Sequence, residues 1–185
     1  MENRKELTGQ ADIKDSDLLE KFIFRTIEQD EAEIAAEIES ICFPPNEACT
    51  KERMIKRVKV TWDLFLVAID KETGRMAGFL NGIATDEDIL RDEFFTDESL
   101  HNPDGKNVMI LGLDVHPDYR KMGLGRALVH NYCRREQERG RKRLVLTCLE
   151  DKIEMYRKFG FTDLGESVSV WGGEAWHEMD IVLNR

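Results

Sequence analysis

Val108-Met109-Ile110-Leu111-Gly112-Leu113-Asp114-Val115-His116-Pro117-Asp118-Tyr119-Arg120-Lys121-Met122-Gly123-Leu124-Gly125-Arg126-Ala127-Leu128 reads as strand, tight loop and helix. An apolar run with β-branched members meets Pro117. A basic loop punctuated by glycine follows, and Leu124, Leu128 and Tyr132 then recur at helical spacing. Amides at such a helix start lack partners within the helix and sit at the positive end of its dipole, and glycines let a phosphate approach the backbone closely. The junction therefore predicts an anion site.

Upstream, Phe22-Ile23-Phe24-Arg25-Thr26-Ile27 has strand composition. Glu31 and Glu33 suit a helix start, with Ile34, Ile38 and Ile41 expected as its buried face. Pro44 and Pro45 end that helix, and Thr50 can cap a second one carrying Met54 and Val58. Residues 64–69 and 75–83 flank Lys71-Glu72-Thr73-Gly74 as a hairpin. Gly78 and Gly82 in its second strand fit a bulge or close backbone approach, or plain tolerance of glycine. Residues 86–96 are acidic but carry Leu90, Phe94 and Phe95, which suits a short amphipathic helix or a lid. Asn102-Pro103-Asp104-Gly105 is a turn.

Downstream, a helix over about 123–139 ends near Gly140, and Leu144-Val145-Leu146-Thr147-Cys148 should run parallel to the first strand. A right-handed crossover then puts the anion loop at the carboxyl end of that strand. A helix over 151–159 carries Ile153, Tyr156 and Phe159 on one face. Strands around 161–170 and 175–183 turn at Gly172-Gly173. The expected architecture is mixed α/β, a mostly antiparallel sheet with one parallel pair, flanked by helices. Residues 1–20 read as a flexible acidic tail and 21–185 as one domain.

No apolar run reaches the length of a membrane span and the N-terminus lacks the apolar stretch of a signal peptide, so a soluble, cytoplasmic protein without a membrane partner is expected. Cys42, Cys49, Cys133 and Cys148 have no metal-ligand spacing and should be reduced thiols, and no metal site is expected. The net charge of -10 opposes nucleic acid as a partner. Residues 120–143 go the other way, a local +7 that leaves -17 for the rest. Most of 134–143 reads as a solvated basic helix face.

Leu128 occupies the third position of a would-be G-x-G-x-x-G, and no P-loop, H-E-x-x-H or G-x-S-x-G is present, which removes support for dinucleotide, triphosphatase, zinc-hydrolase and serine-hydrolase readings. Arg120-x-x-Gly123-x-Gly125, preceded by Leu113-x-Val115-x-Pro117 on a strand, resembles the acyl-CoA loop of the GNAT superfamily of N-acetyltransferases. Tyr156-x-x-Phe159-Gly160-Phe161 is similar to the helix and strand that follow the cofactor strand in that family. Glu98-Ser99-Leu100-His101 and Cys148-Leu149-Glu150-Asp151 are similar to the arylalkylamine (serotonin) N-acetyltransferase branch.

The resemblance implies a GNAT fold using acetyl-CoA as acyl donor. It assigns the pyrophosphate to amides of 121–126, which span Lys121, Met122, Gly123, Leu124, Gly125 and Arg126, with charge from Arg120, Lys121 or Arg126. It lays the pantetheine along Leu113, Asp114 and Val115, the Leu113 amide polarising the thioester carbonyl. The side chains of Leu113 and Val115 are expected to be core. Vertebrate arylalkylamine enzymes carry two histidines on this strand; here those positions are Met109 and Leu111. The catalytic expectation therefore falls on Glu47, similar to a glutamate of insect relatives, as base and cation anchor, with an exposed loop acid the even alternative. Tyr156 is expected as the acid for the thiolate, and a core tyrosine is compatible with that. His101 is a second base candidate, and His116, His130 and His177 read as surface or structural.

The implied reaction is direct acetyl transfer to a primary amine, a small cationic acceptor such as an arylalkylamine or polyamine that the acids Asp86, Glu87 and Asp88 would attract. A protein lysine or N-terminus as acceptor, and a non-catalytic acyl-CoA-binding module, are the alternatives. A monomer or homodimer is expected.

Overall fold

The computed structural model describes residues 16–183. Seven strands form one sheet: β1 (Phe22–Thr26), β2 (Phe65–Asp70), β3 (Met76–Thr85), β4 (Asn107–Val115), β5 (Arg143–Cys148), β6 (Thr162–Glu166) and β7 (His177–Val182). Their spatial order is β1-β2-β3-β4-β5-β7-β6, antiparallel except for β4 with β5. Among the described residues, helices that flank the sheet include α1 (Ala32–Cys42), α2 (Lys51–Thr61), α3 (Leu124–Glu138) and α4 (Ile153–Lys158). The expected mixed architecture is what the chain adopts.

β2 is apolar on both sides because both are covered. Phe65, Val67 and Ile69 pack with Met54 and Val58 of α2 and the alanines of α1, while Leu66 and Ala68 pack with Leu124, Leu128 and Tyr132 of α3. Thr50 caps α2, its Oγ1 accepting from the Arg53 amide at 3.3 Å. The face of α1 differs from expectation. Ala32, Ala35, Ala36, Ile38 and Glu39 are buried, whereas Ile34 and Ile41 are exposed. Small side chains at i, i+3, i+4 let the helix lie close to the sheet, and that closeness outweighs the larger apolar area of the isoleucines.

The segment after β3 is no lid. Leu90, Phe94 and Phe95 are buried in a cluster with Ile83, Met109 and Val145, and only a 3-10 turn forms over Asp92–Phe95. Residues 16–21 are helical and Leu18 is buried in the main core; the rest of the expected tail lies outside the described residues. The basic run is only partly a solvated face. Glu136 is fully buried, and Arg139, Arg135 and Arg141 meet its carboxylate at 3.0, 3.2 and 3.4 Å.

Two irregularities in β4 shape everything that follows. It pairs with β5 only from Asn107↔Arg143 to Met109↔Val145, while β5 continues along β7 as far as Cys148↔His177. Beyond that point the facing edges open as a wedge. The register against β3 also shifts, from Asn81↔Gly112 to Gly82↔Ile110, leaving Leu111 as a bulged extra residue. The bulge reverses parity. Before it, even-numbered Val108 and Ile110 face α3; after it, odd-numbered Leu113 and Val115 pack on that core, and Asp114 turns to α1. Gly78 permits this strand pairing, since a Cβ there would lie 2.4 Å from the Asp114 carbonyl oxygen. Of the readings open for that glycine, close backbone approach is the one realised.

Candidate active site

The wedge between β4 and β5 opens into a cleft of about 630 Å³, and a smaller cavity of about 70 Å³ adjoins it. Glu47, Tyr156, Leu113, Phe43, Thr147 and Trp176 line both. These residues therefore mark the junction, which any group passing from cleft to cavity must cross.

The cleft end of the site is built by the loop before α3. Lys121 and Gly123 both have positive φ, 64° and 87°, and Gly123 caps the helix. The turn is tight enough to demand the left-handed region, where Gly123 fits without cost and Lys121 does not. Arg120, Lys121, Gly123, Leu124, Gly125 and Arg126 line the cleft; Met122 packs on the core instead. The fifteen-residue helix α3 directs its first amides toward this space. Arg126 Nε is buried without a hydrogen-bond partner among the described residues. An orphan guanidinium N–H next to a helix start fits a phosphate-bearing ligand. Arg120 has another task, since its Nε donates to the Val115 carbonyl at 3.1 Å and its Nη2 reaches Cys42 Sγ at 3.7 Å.

Backbone directions on β4 follow from two bonds. The His116 amide donates to Ala77 of β3 at 2.9 Å, and the Val115 carbonyl accepts from Arg120 on the other side. In a strand the amide and carbonyl of one residue point the same way and alternate along the chain. Leu113, two residues before Val115, thus presents its N–H and C=O to the wedge. Its side chain and that of Val115 are half-buried and line the cleft, where pure core positions were expected.

Glu47 is half-buried in the loop after α1, held there because its carbonyl accepts from the Trp171 indole at 3.0 Å. Partial burial, with the Glu174 charge nearby, raises its carboxyl above the ordinary value. Tyr156 packs edge-on against Phe161 and Phe159, ring centroids 5.6 and 5.9 Å away. Desolvation, then the nearby Cys148 and Asp114, pushes its phenol well up, so it stays protonated across the physiological range.

The second base candidate, His101, lies outside both linings, as do His116 and His177, which were read as surface or structural. His101 Nδ1 accepts from the Ala84 amide at 3.2 Å and burial lowers its pKa; His116 Nδ1 accepts from the Asp118 amide at 3.1 Å; His177 faces Asp163 at 3.3 Å. Met109 is buried in the small apolar cluster, and Leu111 lines the cavity. The acids expected to attract a cation are engaged too. Asp86 accepts from the Lys106 amide, Glu87 from Arg91, and Asp88 from Asn107. Sequence reasoning missed the cavity's own wall, namely Glu39 with Phe95, Trp171 and Trp176. Glu39 was signalled by its place on the Ala32, Ala35, Ala36 stripe, where an acid is out of pattern.

All four cysteines are free, and among the described residues no group of His, Cys, Asp and Glu is arranged to hold a metal ion. No helix among them is long and apolar enough to cross a membrane.

Residues 31–161 match the family model described as "Acetyltransferase (GNAT) family". The serotonin N-acetyltransferase of Mesocricetus auratus is 30% identical over 113 residues, 60% of this chain and 53% of that protein, so the chain spans about half the length of this relative. Among solved structures, the loading GNATL domain of CurA from Lyngbya majuscula superposes with a TM-score of 0.74 at 11% identity, covering 88% of this chain and 98% of that one. The phosphinothricin acetyltransferase from Sinorhizobium meliloti in complex with AcCoA gives 0.64 at 16%, covering 89% of each chain. These two share the fold.

Proposed function

Since the chain belongs to the GNAT family of acetyltransferases, we propose that it transfers an acetyl group from acetyl-CoA directly to a small primary amine, with Glu47 as base and Tyr156 as acid. The observation that carries this reading is their shared position at the junction of cleft and cavity. The cleft takes the acyl donor, whose phosphates lie against the α3 amides and Arg126. The cavity takes the acceptor. Aromatic walls from Phe43, Phe95, Trp171 and Trp176 favour a small amine over a protein chain.

An alkylammonium with a pKa of ~10.4 is neutral in roughly one molecule in 2,500 at pH 7, so proton removal is the first demand. The Glu47 carboxylate holds the cation and accepts its proton, which frees the nitrogen lone pair to attack the thioester carbon. The Leu113 amide, facing the wedge, donates to the oxygen as it gains charge. Collapse breaks the C–S bond, the Tyr156 hydroxyl gives its proton to the departing thiolate, the second proton that the nitrogen sheds on becoming an amide returns to the Tyr156 oxygen, and the proton held by Glu47 passes to solvent. No covalent enzyme intermediate is needed.

Steady-state rates by thiol release across a panel of amines test the reading. Glu47→Gln should lower kcat/KM roughly tenfold, partial access of water limiting the loss, and should flatten the acid limb of its pH profile. The sign follows from the raised carboxyl: the base works above its pKa, and activity falls as pH drops through that value. A Glu47→Gln enzyme that keeps the limb would remove Glu47 as base. Arg126→Ala should raise KM for acetyl-CoA about tenfold, one charge-assisted hydrogen bond, with kcat within about twofold.

A further inference from the structure

Residues 167–176 join β6 to β7 as a strap that supplies two walls of the small cavity, Trp171 and Trp176. The strap has supports of its own. The Ser167 amide donates to the Trp176 carbonyl at 2.8 Å and closes it at its ends, and the Trp176 indole donates to the Trp171 carbonyl at 2.9 Å. The Asp92 carboxylate accepts from the Ser169 hydroxyl and, at 3.1 Å, from the Val170 amide. The Trp171 ring stacks on Phe95, centroids 4.9 Å apart.

The loop bearing Glu47 is built differently. Its amides are spent close by: those of Glu47 and Ala48 both donate to the Pro44 carbonyl at 2.9 Å, and that of Cys49 donates to Glu39 Oε1 of α1 at 3.0 Å. The two Pro44 bonds hold both peptide planes that flank the Glu47 Cα, and each plane is rigid. The loop is therefore stiff within itself, and its contact with the strap sets where it stands across the site. There the Trp171 indole donates to the Glu47 carbonyl at 3.0 Å, and the Asn46 side chain donates to the Gly172 carbonyl at 3.0 Å. Gly172, at φ 64°, lets the two backbones meet, since a Cβ on it would lie 2.7 Å from the Asn46 carbonyl oxygen. Glu174, also on the strap, is the charge that adds to partial burial in raising the Glu47 carboxyl; Glu39 and Tyr156 are the other titratable side chains of the cavity lining. Because the strap is fixed by bonds that do not involve Glu47, the constraint runs from strap to loop.

We propose that Trp171 is a positioning residue of the transfer reaction: through its bond to the Glu47 carbonyl, the strap sets where the base stands at the junction of cleft and cavity. This rests on the acetyl-transfer reading above and adds the element on which the base depends.

A double-mutant cycle tests it, with kcat and KM read by thiol release on wild type, Trp171→Phe, Glu47→Gln and the double variant. Phenylalanine keeps a ring against Phe95 and lacks the N–H. Trp171→Phe should lower kcat about fivefold, the scale of one neutral hydrogen bond, with KM for acetyl-CoA within about twofold. In the Glu47→Gln background the same substitution should change kcat by less than about 1.5-fold, because no base is left to misplace. Lost wall area would instead raise KM for the amine equally in both backgrounds. The acid limb of the kcat/KM profile should move to lower pH in Trp171→Phe, since entry of water and distance from Glu174 bring the carboxyl down toward its ordinary ~4.3. Asn46→Ala, on an exposed side chain outside both linings, should move the limb the same way by less, and gives this readout if Trp171→Phe does not fold. An equal loss of kcat in both backgrounds, or a limb that stays in place, overturns the positioning role and leaves Glu47 as base. Wild-type kcat and an unchanged limb in Glu47→Gln overturn the base, and the positioning role with it.

Discussion

Tyr156→Phe is expected to lower kcat about a hundredfold while leaving KM for acetyl-CoA within about twofold. General acids contribute roughly 10²–10⁴ to turnover, and the leaving thiolate is the group that needs one. The substitution removes a single oxygen. The ring contacts with Phe159 and Phe161 survive it, so the cleft keeps its shape and the donor its binding energy. Burial strengthens the case in one respect and limits it in another. A phenol pushed above its ordinary value of ~10 is fully protonated at neutral pH and loses its proton only as pH climbs through the raised value, so its contribution persists into the alkaline range. A free thiol near ~8.5 is the stronger acid, so transfer from phenol to thiolate runs uphill by at least about 2 kcal/mol unless the same desolvation raises the thiol as well. Steady-state kinetics with thiol detection reads the result; unchanged turnover would leave Tyr156 as a packing residue.

Glu136→Ala should be the most damaging change to stability, at about 3–5 kcal/mol, the usual cost of breaking a buried ion pair by removing one partner. Glu136 is fully buried on α3, and the guanidiniums of Arg135, Arg139 and Arg141 converge on it. Arg141 is itself 8% exposed and also donates to the Gly105 carbonyl, so it cannot swing into solvent when its partner is lost. Arg139 can, being partly exposed and tied otherwise to the Asp63 carbonyl. The melting temperature should fall by roughly 6–20 °C for a domain of this size. Urea unfolding checks the figure, and a loss under about 1 kcal/mol would mean that water reaches the cluster.

The glycine-capped loop before α3 and the parallel strand pair were legible because local chemistry dictates them. Glycines at 123 and 125, Pro117 and an uninterrupted apolar strand permit few alternatives. Glu47 and Tyr156 came from resemblance, and both line the junction of the two cavities. The buried stripe of α1 escapes a sequence reading because three alanines carry less hydrophobic weight than three isoleucines, while closeness of approach is a property of the packed pair of layers. Phe95, Trp171 and Trp176 wall the cavity from segments far apart in sequence, stacking Phe95 on Trp171 at 4.9 Å, and no local pattern encodes that meeting. The basic run concealed Glu136 for a related reason, since a carboxylate among arginines reads as surface charge until burial is known.

The extra residue in β4 divides one strand between two duties. Up to Ile110 its side chains pack into the core, Ile110 also reaching the small cavity; past Leu111 one face meets the cleft and the other the carboxylates under α1. Removing Leu111 would make the strand regular and leave every later face as it is, because Ile110 and Gly112 already stand opposite the adjacent residues Gly82 and Asn81; what the extra residue supplies is a local bend where the wedge opens. The two halves of β4 thus differ in numbering parity and not in their places against β3, and an inserted residue is absorbed where it stands without passing its offset down the strand.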